Sequence, residues 1–298
     1  MIRRQEVKGL IIPALFGRIL HRSNSQRFVP ADCFVCVIAV GYMTDAMVSD
    51  TAKNKYNMMS VPFEAVDGKG VSLNEINFAN ATYTTAAGSS DIVMFWKPEA
   101  QTYEQYYYYG VKGYETQLPP TWRLIGASAA EASYDYQHPE GMEPGTVFWY
   151  QSFKTASAVN QSMTSAGAVA SDPYETFTIT HKVGKNTYYF ISNPYPSELD
   201  VTWDGGQVVW STDATYSTAA GSADIIMVWD AEVQNYVQYY FYGVKGYESQ
   251  LKPAWRLVGG TQSDVLTSIP AGTGFWYYAY QATGADKVQT IQFNSPLK

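Results

Sequence analysis

A chain of 298 residues with 46% apolar side chains has material for two ordinary domains and their cores. Only 16% of its residues are charged, below the roughly 25% usual in soluble domains, while aromatics reach 15% and include 25 tyrosines. The formal charge is −7: residues 1–50 carry six basic and four acidic side chains, and the rest carries 14 against 23. A body this acidic, without a lysine or arginine stripe, disfavours nucleic acid as a partner, because that binding rests on neutralising many phosphates, and none is expected.

The chain opens on a basic stretch, "MIRRQEVKGLIIPALFGRILHRSNSQRF", with an apolar run from Leu10 to Leu20 broken by Pro13 and Arg18. A second run, Cys33 to Met43, has 11 residues. Both fall short of the roughly 18–20 residues that cross a bilayer as a helix, so no transmembrane segment is expected. The second run has the length of a signal-peptide core, although Asp32 sits at its edge and the basic segment before it is long. Residues 1–50 are therefore read as an export leader, with a flexible or structured N-terminal arm as the alternative. Both cysteines, Cys33 and Cys36, lie here. With no second CxxC and no nearby histidine they read as apolar residues rather than a zinc or redox site.

From residue 51 short β-rich runs alternate with turn signals. They are Tyr56–Phe63, Asp91–Trp96, Thr102–Tyr109, Trp122–Gly126 and Thr146–Phe153, with a weaker pair after Ala156. The series continues with Phe177–Lys182, Thr187–Pro194, Ile225–Trp229, Tyr236–Tyr242, Trp255–Val258, Gly274–Tyr280 and Val288–Phe293. The one helical signal is "VSLNEINF" (Val71–Phe78), where Ser72 and Glu75 have capping-box spacing. The pattern predicts an all-β protein with little helix, built as sandwiches or small barrels.

The chain also repeats itself. Residues Ala81–Gly126 align without gaps on Ala214–Gly259, with 32 of 46 positions identical. "YNMMSVPFE" echoes "YYFISNPYP", and "EPGTVFWYQS" echoes "PAGTGFWYYA". Two homologous β-domains are expected, 51–172 and 173–298, each of ordinary size. In "TYEQYYYYG" alternate side chains take opposite faces. Glu104, Tyr106 and Tyr108 become Val237, Tyr239 and Phe241, whereas Tyr103, Gln105, Tyr107 and Tyr109 are repeated unchanged. The unchanged face is read first as a sheet–sheet core with bonded hydroxyls, and otherwise as an exposed stacking surface. The strand leaves through "GVKGYE", a loop that also recurs whole.

Familiar chemistry is sparse. The three histidines, His21, His138 and His181, have no counterparts between copies and no nucleophile motif beside them. No Walker or dinucleotide motif appears, so no cofactor, metal or catalytic residue is expected. A glycan hydrolase, the third reading, needs only two suitably spaced carboxylates, and the recurring ones are Asp91/Asp224 and Glu115/Glu248. On "YNMMSVPFE", "DIIMVWD…YVQYYFYG…WRLVG" and "IPAGTGFWYYAYQ" the chain resembles secreted aromatic-rich tandem-repeat proteins of Planctomycetes–Verrucomicrobia-type bacteria. That resemblance implies export and a repeated β architecture and carries over no site. The expectation is a non-enzymatic secreted or cell-surface structural or interaction protein that meets a surface polymer, a glycan or itself. The alternative is a tandem carbohydrate-binding module, with Tyr107, Tyr109, Tyr114 and Trp122 stacking on sugars in one copy and Tyr240, Tyr242, Tyr247 and Trp255 in the other.

Overall fold

The structure, a computed structural model, describes residues 7–13, 37–66, 69–97, 100, 102–128, 132–157, 159–170, 172–211 and 213–296. In chain order the first strands are β1 (Val7–Pro13), β2 (Val37–Met47), β3 (Lys55–Val61), β4 (Asn77–Ala79), β5 (Ile92–Lys97), β6 (Thr102–Tyr109), β7 (Thr121–Leu124), β8 (Thr146–Ser152) and β9 (Gln161–Ala168). They continue as β10 (Tyr174–His181), β11 (Thr187–Ser192), β12 (Leu199–Asp200), β13 (Val208–Val209), β14 (Ile225–Asp230), β15 (Asn235–Tyr242), β16 (Ala254–Leu257), β17 (Ser268–Ile269), β18 (Gly274–Ala279) and β19 (Lys287–Asn294). Among the described residues one short α-helix, α1 (Tyr134–Gln137), lies in the stretch by which the first copy is longer. The all-β expectation holds. "VSLNEINF" is a turn followed by β4 rather than a helix. The Ser72 backbone N–H still donates to Glu75 Oε2 at 3.0 Å, half of the capping exchange its spacing suggests.

Two five-stranded sheets run β3-β8-β5-β6-β7 and β11-β18-β14-β15-β16, each antiparallel throughout. Opposite them stand β1-β2-β9-β4 and β10-β19-β13. Set side by side, the two five-stranded sheets have the same strand order, and β2-β9-β4 has the same order as β10-β19-β13. The first sandwich closes over Val61, Phe78, Val93, Tyr106, Trp122, Phe148, Tyr150 and Met163. The second closes over Ile191, Val208, Ile226, Phe241, Trp255, Phe275, Tyr277 and Phe293.

Three expectations need correction here. Val37–Met47, read as part of a leader or arm, is a full strand paired with β9 from Val40 to Met47, and Met43 and Met47 are buried. The first unit therefore reaches back at least to Val37, ahead of residue 51, while Cys33 and Cys36 lie outside the described residues. The unchanged face of the tyrosine strand does not look into the core. Tyr106 and Tyr108 pack inward, so Tyr103, Gln105, Tyr107 and Tyr109 point away from it. Trp122 and Trp255 are 1% exposed and stacked on Tyr108 and Phe241, so they fill the cores and present no sugar platform.

The outward faces of the five-stranded sheets meet each other at one corner. Trp149 meets Trp229 edge to face at 5.0 Å, and the equivalent pair, Trp276 and Trp96, does so at 5.8 Å. Such T-shaped pairs set the negative ring face of one indole against the positive edge of another. Trp229 Nε1 donates to the Tyr56 carbonyl at 2.8 Å, and Ser192 Oγ donates to the Gly145 carbonyl at 2.8 Å. This junction is approximately two-fold, as in an isologous dimer interface fused into one chain. Trp149→Ala is expected to cost about 3–5 kcal/mol, as for other large aromatic deletions. Denaturant unfolding is predicted to change from one transition to two as the halves uncouple; a single, unshifted transition would contradict this packing.

Candidate functional site

The recurring carboxylates are structural ties. Asp91 precedes β5 with no exposed surface, and its carboxylate accepts hydrogen bonds from the Tyr150 hydroxyl, the Thr82 N–H (2.7 Å), the Phe153 N–H (2.6 Å) and Gln161 Nε2 (3.0 Å). Asp224 repeats the arrangement with the Tyr277 hydroxyl (2.7 Å), the Thr215 N–H (2.9 Å) and the Tyr280 N–H (2.8 Å), with His181 Nδ1 at 3.6 Å. A buried charge is tolerated only when it is paired or hydrogen-bonded in this way. Glu115 and Glu248 sit on the exposed GVKGYE loops. Glu115 accepts from the Tyr83 hydroxyl at 2.6 Å and the Gly113 N–H at 2.9 Å, and Glu248 from the Tyr216 hydroxyl and the Gly246 N–H. Each closes its own loop.

The face left over is the outward side of β5, β6 and β7, and its equivalent on β14, β15 and β16. Cross-strand register sets Ile92 opposite Tyr107 and Met94 opposite Gln105. Arg123 lies opposite Tyr107 on β7, with its guanidinium carbon 3.7 Å from the centre of the Tyr109 ring. The second copy is the same: Ile225 faces Tyr240, Met227 faces Gln238, and Arg256 lies 3.5 Å over Tyr242. Tyr107 and Tyr109 meet edge to face at 6.1 Å, as do Tyr240 and Tyr242. These tyrosines are half-exposed, and Gln105 and Gln238 are exposed. From Tyr103 to Tyr109 the strip extends about 20 Å at the rise of a strand.

The two copies differ in an informative way across this sheet. Inward positions change, as in Val93/Ile226, Phe95/Val228, Glu104/Val237 and Tyr108/Phe241. The outward residues Ile92, Met94 and Trp96 on β5 are Ile225, Met227 and Trp229 on β14, and Tyr103 to Tyr109 keep their outward residues too. The Trp–Tyr corner explains part of that identity. Trp276 Nε1 donates to the Tyr236 hydroxyl at 3.1 Å, and Trp149 and Tyr103 line one hollow with Tyr236. The remainder, Gln105, Tyr107, Tyr109 and Arg123 with their equivalents, is outside that corner.

Two hollows flank the junction. A space of about 330 Å³ is lined by Tyr56, Met94, Tyr103, Trp149, Trp229 and Tyr236. A larger cleft of about 470 Å³ has Phe95, Trp96, Tyr134, His138, Phe177 and Phe190 in its walls. At its edge Glu104 is held between Lys97 and His138, each at 2.9 Å. Those two partners outweigh burial and keep the Glu104 carboxyl below its ordinary range. This cluster exists in the first copy alone, since Glu104 becomes Val237 and Lys97 becomes Asp230.

Of the residues read as stacking platforms, Tyr107, Tyr109, Tyr240 and Tyr242 lie together on the outward strips. Tyr114 and Tyr247 are 60% and 55% exposed at the loop tips, and Trp122 and Trp255 are in the cores. Gln105 and Gln238 belong to the repeated face, whereas Arg123 and Arg256 were not among the residues expected from the sequence. The signal was present: Arg123 and Arg256 are the only arginines after Arg27, and they occupy equivalent positions.

Burial raises the Asp91 carboxyl to about 6, opposed by the four donors around it. Its unfolded value is about 3.9, so between about pH 4 and 6 the folded state holds the proton more firmly. The stability linked to that proton is full below about pH 4 and is lost as pH rises through 6, an effect of roughly 3 kcal/mol. Asp91→Asn is expected to abolish this dependence, so the stability gap between wild type and variant should vary with pH in denaturant titrations. A gap that is flat between pH 4 and 7 would contradict it. Comparison with protein-family models, with curated proteins and with solved structures finds no match.

Proposed function

We propose that the protein is a non-enzymatic binding protein of the cell exterior, which grips an extended surface glycan through two equivalent tyrosine strips. The observation that carries this reading is the outward face of β5–β6 and β14–β15, identical between copies while the core side has drifted. Core positions ordinarily set the limits on substitution, because volume changes there are felt directly. An outward face that holds its residues while the inward face changes needs a cause outside packing. Tyrosine suits such a surface, because its ring stacks on the C–H faces of sugars and its hydroxyl hydrogen-bonds to their rims. Two such faces on one chain gain affinity by multivalency when a partner engages both. The structural ties made by Asp91, Asp224, Glu115 and Glu248 also favour binding over hydrolysis, since they occupy the carboxylates that recur in both copies.

Screening the purified protein on a glycan array is the direct test. Tyr109→Ala combined with Tyr242→Ala is expected to weaken the strongest interaction tenfold or more, from the loss of about 1 kcal/mol of ring contact at each site. Thermal stability should be nearly unchanged in that variant, because both rings are half-exposed. Trp122→Ala, by contrast, should cost about 3–5 kcal/mol of stability. Glycan binding that survives the double tyrosine substitution would move the site elsewhere.

A further inference from the structure

The only two arginines beyond Arg27 lie at the same place in each strip, and among the described residues neither has a carboxylate partner. Several lysines pair with carboxylates: Lys97 with Glu104, Lys182 with Asp286 and Lys252 with Asp204. Each arginine instead has its guanidinium carbon over a tyrosine ring, at 3.7 Å for Arg123 and 3.5 Å for Arg256. Stacking holds a planar guanidinium by its face and leaves edge N–H groups free to form a fork toward a carboxylate or sulfate.

We infer that each strip is a site for an acidic polysaccharide, in which the arginine takes a uronate carboxylate or a sulfate while the neighbouring tyrosines stack on the sugar rings. This rests on the glycan reading above and adds the charge of the ligand. An acidic polymer suits the geometry because Gln105, Tyr107 and Tyr109 run along one strand and Arg123 stands beside them, so a linear chain laid on the strip meets stacking, amide and cation in turn. Lysine in place of either arginine would keep the charge and lose both the planar fork and the stack. The acidic remainder of the surface repels a polyanion elsewhere and confines it to these two points.

The test is calorimetric titration of the full-length protein with polygalacturonate, with neutral xylan and with poly-glutamate at two salt concentrations. The expected result is binding of polygalacturonate that weakens as salt rises, with much weaker binding of xylan and of poly-glutamate. Arg123→Gln combined with Arg256→Gln should lower polygalacturonate affinity about tenfold, with unchanged thermal unfolding. Arg123→Lys combined with Arg256→Lys should lower it almost as far, which separates the planar fork from simple charge. Xylan bound as well as polygalacturonate, with no effect of the arginine variants, would overturn the acidic-ligand inference and leave the tyrosine reading standing. No binding to any polysaccharide would overturn both. Poly-glutamate bound as tightly as polygalacturonate would overturn the assignment to polysaccharide and point to an acidic polypeptide.

Discussion

Two carboxylates without exposed surface fix the geometry on which everything else depends. Asp91 and Asp224 each sit at the entry of a central strand and collect donors from two separate pieces of chain. These are the incoming turn at Thr82 or Thr215 and the neighbouring strand, which gives its tyrosine hydroxyl and the backbone N–H just past its end. Their own backbone groups continue the pattern, as the Tyr108 N–H donates to the Asp91 carbonyl at 2.9 Å and the Phe241 N–H to the Asp224 carbonyl at 2.8 Å. A single residue thereby holds three strands in register. Because side chains alternate, a slip of one residue would exchange the two faces of the tyrosine strand. The ties consequently decide which tyrosines are core and which are surface.

With register fixed, each five-stranded sheet has two different faces. The inner one packs against a smaller sheet and tolerates exchange of one apolar residue for another. The outer one is divided. Its tryptophan corner is taken up by the other half of the molecule, through Trp149–Trp229 and Trp96–Trp276. Its tyrosine end stays open and carries an arginine stacked on a ring. The near two-fold relation of the halves means that the same residues serve the same purposes twice. The Lys97–Glu104–His138 cluster breaks that equivalence on one side of the junction.

Much of this is legible in the sequence. The longer strands after residue 51 follow from β-rich runs between turn residues, whereas β4, β12, β13 and β17 are too short to show, and the Ser72–Glu75 contact follows from its spacing. Alternation separates the two faces of the tyrosine strand correctly, yet it does not say which face is buried. Tyrosine is equally at home in a half-wet core and on a surface, so periodicity alone cannot choose. Trp122 and Trp255 mislead for a related reason: an indole serves equally as a stacking platform and as a core side chain, and its residue type does not choose between them. Strand β2 is hidden because an 11-residue apolar run looks alike as a leader core and as a buried strand. The junction between halves depends on contacts between distant residues, which no local pattern encodes.

Under the proposed function, the protein meets its partner at the open tyrosine–arginine strips rather than in the cleft at the junction. Hydroxyl-radical footprinting with and without bound oligogalacturonate tests this most directly, because aromatic side chains report their own solvent access. Protection of Tyr107, Tyr109, Tyr240 and Tyr242 is predicted, with the exposed Tyr136 and the loop-tip Tyr114 and Tyr247 unaffected. Protection centred on Trp96, Tyr134 and His138, with the strips unchanged, would contradict it.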